Sequence, residues 1–287
     1  MPSTHEQSTA QLRKAHLARS FDLASDTYEE AHGDFVNPVG DRLAYLADLR
    51  PGDRVLDLGC GRGAVLFAAV AAVGPDGYVA GVDLSPGMVR RTAAQAARAG
   101  LRNVSVRVDD AEDLGFPDRS FEAVLSSFTL PLLPDPAAAL AGAHRVLAPG
   151  GRLGLTGPGA GAEPEPGWRR ALPALLPYLG PDADWPAADG DRAVAADRPG
   201  GDPERALAAA GFTGVRTVEE PAVVVHADVH TWWRSLWAGG HRALLETIAP
   251  GRRAQAREAA CAAVEPLTER GRLVHRTSVR YTLARRD

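Results

Sequence analysis

The chain has 287 residues, of which 45% are hydrophobic and 24% charged, the balance of an ordinary water-soluble domain. Its 32 Lys and Arg against 36 Asp and Glu leave a formal charge of −4, which speaks against a nucleic-acid partner, because a phosphate backbone needs a basic face. Cys60 and Cys261 lie far apart without metal-ligand spacing, and no stretch approaches the roughly 18 apolar residues of a spanning helix, so the expectation is a reduced, cytoplasmic protein with neither metal nor membrane partner.

From about Ser8 to Leu49 the pattern is helical: "AQLRKAHLARSFDLASDTYEEAH", then "NPVGDRLAYLADL", which opens at Asn37 as a cap before Pro38. "RPGDR" is a turn. Then strands alternate with helices: "RVLDLG", "AVLFAAVAAV", "YVAGVD", "SPGMVRRTAAQAARAG", "NVSVRV", "FEAVLSS", "DPAAALAGAHRVLA" and "RLGLTG". The second of these helices has Ser85 as its cap, Pro86 at its first position and Gly100 at its end. Continuous apolar strands with crossover helices predict a parallel sheet covered on both faces. Ligands of such sheets sit beyond the carboxyl ends of the strands.

The stretch Gly157–Gly201 is rich in Pro, Gly and Asp and holds one short apolar helix, "WRRALPALLPYLG". It reads as an inserted lid or a partly mobile loop, expected to order only with substrate. Beyond it come the helix "DPERALAAAGF", one or two strands in "GVRTVEEPAVVVHAD", two helical segments, and a last strand, "LVHRTSVRYTLAR".

The chemistry gathers at "VLDLGCGRGAVL", Val55 to Leu66. Gly59, Gly61 and Ala64 fit the dinucleotide fingerprint G-x-G-x-x-A. S-adenosylmethionine competes for the same loop. Asp57 is unhelpful beside a pyrophosphate but useful beside a methionyl ammonium, unless it only caps backbone donors. Gly59, Gly61 and Gly63 let the backbone approach a ligand, or simply make a tight turn. Cys60 is a small filler of that turn rather than a nucleophile. Asp83 ends the second strand, where an acid can accept both ribose hydroxyls, a device that NAD enzymes share. Leu84 and Met88 can flank an adenine, although core packing explains Met88 as well. An acid in "DDAEDLGFPDRSFEAVLS", Asp109 to Ser126, can take the adenine amine, which a dinucleotide enzyme has no need for. Asp109, Asp110, Glu112 and Asp113 crowd there, most of them as a solvated acidic turn.

"VLDLGCGRG", "VAGVDLSPGMV", "DAEDLGFPDRSFEAVLS" and "HRVLAPGGRLGLT" together resemble the class I S-adenosylmethionine-dependent methyltransferases, in the branch of the ubiquinone/menaquinone C-methyltransferases and small-molecule tailoring enzymes. The resemblance covers roughly Ala44 to Thr156. It implies an α/β, Rossmann-like, seven-stranded, mostly parallel sheet with helices on both faces, an N-terminal helical cap and an antiparallel last strand, Leu273 to Arg285, inserted beside its neighbour. The expected organisation is a cap over 1–49, a cofactor core over 50–158, a lid over 159–200, and a completion of the sheet with a substrate roof over 201–287. Asp57, Gly59 and Gly61 would hold the methionyl part, with Cys60 between them. Asp83 would hold the ribose, flanked by Leu84 and Met88. Asp110 and Ala111 would hold the adenine, and Ser126 would lie beside the methionine moiety. The loop "SSFTLPLLPDP" has no histidine, unlike that of many quinone-modifying relatives.

The implied reaction is in-line transfer of methyl to an O, N, S or C atom of a small-molecule acceptor, aided by a general base where the nucleophile is a hydroxyl or an ammonium. His226, His230, His241 and Tyr28 are the candidates for that base, with no motif to choose among them. Trp233 and Trp237, one helical turn apart, close the domain or line a flat acceptor site. Two other readings stand: a cyclisation or other non-methyl reaction with the same cofactor, and a non-catalytic or dinucleotide-binding protein. The sequence sets no oligomeric state.

Overall fold

The strand β1 (Arg54–Leu58) lies at the middle of the sheet, buried at every position but its first. It pairs in parallel with β2 (Tyr78–Asp83) on one side and β4 (Phe121–Ser127) on the other. Outside these lie β3 (Val104–Val108) next to β2 and β5 (Leu147–Pro158) next to β4. The chain order therefore reverses between β1 and β4, where a crevice opens above the strand ends. The last long strand, β8 (Arg272–Arg286), inserts antiparallel between β5 and β6 (Phe212–His226). This computed structural model describes residues 4–159, 166–180 and 203–287.

The sheet has eight strands rather than the seven expected. The extra one is the two-residue β7 (Thr268–Glu269), which folds back on the start of β8. Arg270 and Gly271 link them with φ of 53° and 79°, the two left-handed residues that a tight hairpin turn requires. Pro221 is accommodated in β6 because β6 is an edge strand and has only one ladder to satisfy.

Helices cover both faces. On one, α2 (Tyr28–Leu46) and α3 (Ala64–Val73) bury Val39, Leu43, Val65 and Leu66 against Val55, Leu125, Tyr281 and Leu283. On the other, α5 (Pro136–Val146) and α7 (Pro203–Ala209) bury Leu140, Val146 and Leu207 against Leu56, Val124 and Leu153. The helix α4 (Pro86–Arg98) follows β2, and its Met88 amide donates to the Ser85 hydroxyl at 3.1 Å, the cap expected from sequence.

The break expected at Asn37 and Pro38 is absent. The chain turns earlier, at Ser25–Thr27, between α1 (Thr4–Ala24) and α2, and α2 runs on through Pro38. Asn37 and Pro38 lie on its exposed side, while Val39, Gly40 and Leu43 are buried. Packing of that face outweighs the hydrogen bond that a proline removes.

The strands β6 and β8 have 15 residues each, against five to seven in β1–β4. They continue as a two-stranded ribbon past the end of β5, up to the pair His226 and Leu273. A third core forms on this ribbon. There α6 (Pro166–Leu175), α8 (Val229–Trp237), α9 (Arg242–Glu246) and α10 (Arg253–Val264) enclose Trp232, Leu245, Ile248 and Ala260. The described part of the expected lid, α6 and the turn after it, belongs to this roof, and residues 160–165 and 181–202 lie outside the described residues.

Gly40 sets how closely α2 approaches the start of α3: a Cβ there would stand 2.5 Å from the Ala64 carbonyl oxygen. In a free helix Gly→Ala gains about 1 kcal/mol. Here Gly40→Ala is expected to lower stability by about 1–3 kcal/mol through overpacking. Denaturant midpoints test this, and a raised midpoint would contradict it.

Candidate active site

The site begins where β1 ends. The amides of Gly59 and Cys60 both donate to the Val82 carbonyl, at 2.8 and 2.9 Å, which draws the loop across the end of β2. Gly59 has φ of 70°, and a Cβ on it would collide with the Thr129 side chain. No other residue type fits that turn. The Asp83 carboxylate then ties loop to loop, accepting from the Gly61 amide at 2.9 Å and the Ser85 amide at 2.8 Å. Burial raises its pKa, and these two bonds oppose the rise.

Asp57 is 1% exposed, and neither carboxylate oxygen has a hydrogen-bond partner among the described residues. Burial, helped by the charge of Asp83, pushes its pKa up to about 8. The Leu66 amide pulls the other way, without forming a standard hydrogen bond. An orphaned buried carboxyl is costly unless a ligand meets it. Its surroundings suit a cation with hydrogen-bond donors, such as an ammonium. The Cys60 thiol is buried beside it and pushed well up by burial and by Asp83, which makes it inert as a nucleophile.

A cavity opens over this loop, lined by Asp57, Gly59, Gly61, Tyr28, Ser127 and Phe128 among others. Ser126 is buried, and its hydroxyl donates to the Leu58 carbonyl at 3.0 Å, which locks β4 to β1 under the cavity floor. Ser127 and Thr156 join hydroxyls at 2.8 Å. Phe128 follows with φ of 53°, a left-handed conformation uncommon for a bulky residue. Its amide donates to the Thr156 hydroxyl at 3.2 Å, and its ring meets Phe35 of α2 at 5.7 Å. Leu84 is half-buried beside Asp83, and Met88 is fully buried.

Asp110 and Ala111 follow β3, and Ala111 is buried. Asp110 accepts from the Glu112 amide at 2.9 Å and meets Lys14 Nζ of α1 at 2.6 Å, and Lys14 also reaches Glu112 at 2.5 Å. Lys14, the single lysine of the chain, thus pins α1 to the acidic loop. Two further ties hold the same helix. Asp22 accepts from the Gly87 amide at 2.5 Å, and the Ser20 hydroxyl donates to the Gly240 carbonyl of the roof at 2.6 Å. The role of Lys14 escapes sequence reading because 96 residues separate it from Asp110.

Of the base candidates, Tyr28 alone lines the cavity. Burial and the nearby Asp83 push its pKa up to about 12. His230 is exposed and lies 3.7 Å from the Cys261 sulfur. Trp233 and Trp237 meet edge-to-face at 6.1 Å and pack in the roof core. His226 and His241 come together with a residue not singled out from sequence, His32, whose ring lies 4.9 Å from that of Tyr28. The spacing of His32, Phe35, Val39 and Leu43 along one face of α2 is the signal that could have found it.

Residues 55–151 match the family described as "Methyltransferase domain". The nocamycin O-methyltransferase of Saccharothrix syringae is 40% identical over 243 residues, 82% of this chain and 85% of that protein. The chain belongs to the S-adenosylmethionine-dependent methyltransferases. The aklanonic acid methyltransferase DauC of Streptomyces sp. (strain C5) is 44% identical over half of this methyltransferase and 66% of its own length. The YcgJ protein of Bacillus subtilis shares the fold, with a TM-score of 0.57 at 19% identity, covering 87% of the methyltransferase and 98% of its own chain. The dinucleotide and non-catalytic readings of Gly59, Gly61 and Ala64 therefore give way: the methyltransferase uses S-adenosylmethionine.

The raised pKa of Asp57 has a definite sign in the stability of the methyltransferase. The folded state holds this proton to about pH 8, whereas the unfolded chain releases it near 3.8. Above pH 3.8 the folded state therefore binds more protons, and this group lowers stability as pH rises toward 8, by at most about 1.4 kcal/mol per pH unit. Asp57→Asn is expected to gain stability relative to the wild type over that window, read as the difference between their denaturation curves at several pH values. Parallel curves would show that Asp57 titrates normally.

Proposed function

We propose that this protein methylates an oxygen of a small acceptor molecule, of the kind met in secondary metabolism. The observation that carries the reading is the buried, unpartnered Asp57 at the foot of the glycine loop. A cofactor with a cationic end and no phosphate suits that carboxylate, and a pyrophosphate does not. The names of the two relatives, an O-methyltransferase and a methyltransferase of aklanonic acid, support an oxygen acceptor.

In this reading Asp57 takes the methionyl ammonium, while Gly59, Cys60 and Gly61 bring backbone close to the methionyl chain. Asp83 accepts the ribose hydroxyls, and its own bonds to Gly61 and Ser85 hold it in place for that. Leu84 flanks the adenine and Met88 backs it from the core. Asp110 takes the exocyclic amine and the Ala111 amide a ring nitrogen. Ser126 acts through Leu58, by fixing the floor on which the methionine moiety rests. When bound, S-adenosylmethionine supplies a methyl group on a sulfonium, an electrophile that needs no metal. The protein's share is to exclude water and to hold the acceptor oxygen in line. In this reading residues 4–49 form a cap over the cofactor core, 50–158, and residues 203–287 complete the sheet and build the roof. Both cysteines are free and buried, which supports work in the reducing cytoplasm.

Calorimetric titration with S-adenosylhomocysteine, with NAD as the control, tests the cofactor half. Binding of the first alone is expected. Asp83→Ala should weaken it by about 1.5–3 kcal/mol, roughly ten- to a hundredfold, through the loss of charge-assisted bonds to the ribose. Unchanged affinity in a folded variant would remove Asp83 from the site. Release of S-adenosylhomocysteine together with a product heavier by one methylene separates methyl transfer from a cyclisation.

A further inference from the structure

Arg62 stands between two glycines of the loop, five residues after Asp57. Between these two residues the chain turns back on itself, with the Gly63 amide donating to the Cys60 carbonyl at 2.7 Å. Arg62 and Asp57 line the same cavity. The backbone beside Arg62 is bare and open. At Gly61 a Cβ would meet no atom within 4 Å, whereas at Gly59 and Gly63 it would collide with a side chain.

The Arg62 side chain is 11% exposed. Its Nη1 donates to the Ser25 carbonyl at 2.8 Å, and its Nη2 donates to Glu29 at 2.9 Å and to Gln95 at 3.3 Å. Three elements thus fix the plane of the guanidinium: α2, α4 and the turn after α1. Nε is buried and has no hydrogen-bond partner among the described residues. Of the residues that line this cavity, only Asp57 and Arg62 hold a buried side-chain polar atom in that condition. A guanidinium keeps its charge when buried, and a buried N–H without an acceptor is costly. Glu29 leaves the need unmet, because it meets Nη2 rather than Nε. Its side chain is also 42% exposed, so water screens its charge.

One cavity therefore presents a buried acid and a buried base, each with an unmet bond. A simple ammonium or a simple anion answers one of them, and a zwitterion answers both. The methionyl end of S-adenosylmethionine carries an ammonium and a carboxylate on one carbon, and Asp57 suits only the first. We infer that Arg62 receives the carboxylate of that end through its Nε–H, so that Arg62 and Asp57 together select a cofactor with an intact amino acid against one that has lost the carboxylate. The inference rests on the reading of Asp57 as the partner of the ammonium. The bonds to Ser25 and Gln95 would by themselves make Arg62 a pin for the loop, and ligand preference separates the two roles.

Calorimetric titration of the full chain compares S-adenosylhomocysteine with the aminopropyl and carboxypropyl thioethers of adenosine, which lack its carboxylate and its ammonium respectively. The wild type is expected to bind S-adenosylhomocysteine about tenfold or more tighter than the aminopropyl thioether, the size of one charge-assisted bond. Arg62→Met should erase that preference and keep the preference over the carboxypropyl thioether, which belongs to Asp57. Arg62→Lys should restore part of what Arg62→Met loses, since it keeps the charge without the fork. A loop pin acts on all three ligands alike, so an equal loss for all three in Arg62→Met overturns the inference, and so does a variant that retains the wild-type preference. Equal binding of S-adenosylhomocysteine and the aminopropyl thioether by the wild type also overturns it, and that comparison needs no variant to fold. Equal binding of the carboxypropyl thioether is a different result: it takes the ammonium away from Asp57 and ends that reading, while the aminopropyl thioether still decides the role of Arg62. Failure of the wild type to bind S-adenosylhomocysteine ends both.

Discussion

A carboxyl group stands in the middle of the sheet with no hydrogen-bond partner among the described residues. Asp57 lies between Gly81 of β2 and Leu125 of β4, at the point where strand order reverses. Burial there works against folding, since it holds the group's pKa near 8. Much of the local structure makes that burial possible. Gly81 leaves room for Leu66 and Cys60 to pack over β2. The Val82 carbonyl holds down the glycine loop. Ser126 staples β4 to β1 immediately below. These bonds fix the surroundings of Asp57 from within the protein, and in the proposed reading a bound cation would offset the cost of burying it.

The cofactor half was legible because its signals are local. A strand, a left-handed turn and a capped helix each announce themselves within a few residues, as Gly59, Gly63 and Ser85 do. The parallel order followed from continuous apolar strands alternating with crossover helices, and the inserted last strand from the resemblance carried by four ordered motifs. The misreading at Asn37 and Pro38 has the opposite cause. Local rules end a helix there, and the burial of Val39, Gly40 and Leu43 by residues far away overrides them. Sequence spacing likewise cannot bring Lys14 to Asp110, or Arg42 of α2 to Glu220 of β6. Such contacts depend on how the ribbon of β6 and β8 overshoots the sheet and on how α2 crosses it.

The two halves of the site are built from different materials. The loop end of the sheet is built from backbone amides and carboxylates, which in the proposed reading would meet the fixed groups of one cofactor. The roof relies on indole and phenol rings and aliphatic side chains from four helices and a ribbon, with the His241 ring against Trp168. A wall of this kind can be altered one side chain at a time without disturbing the sheet, so a single scaffold can serve many acceptors.

The helix α1 touches both halves. Through Lys14 and Asp22 it holds the acidic loop and the start of α4, and through Ser20 it holds Gly240 at the head of α9. A shift of α1 would therefore disturb both regions at once, so this helix mechanically couples the acidic loop to the roof.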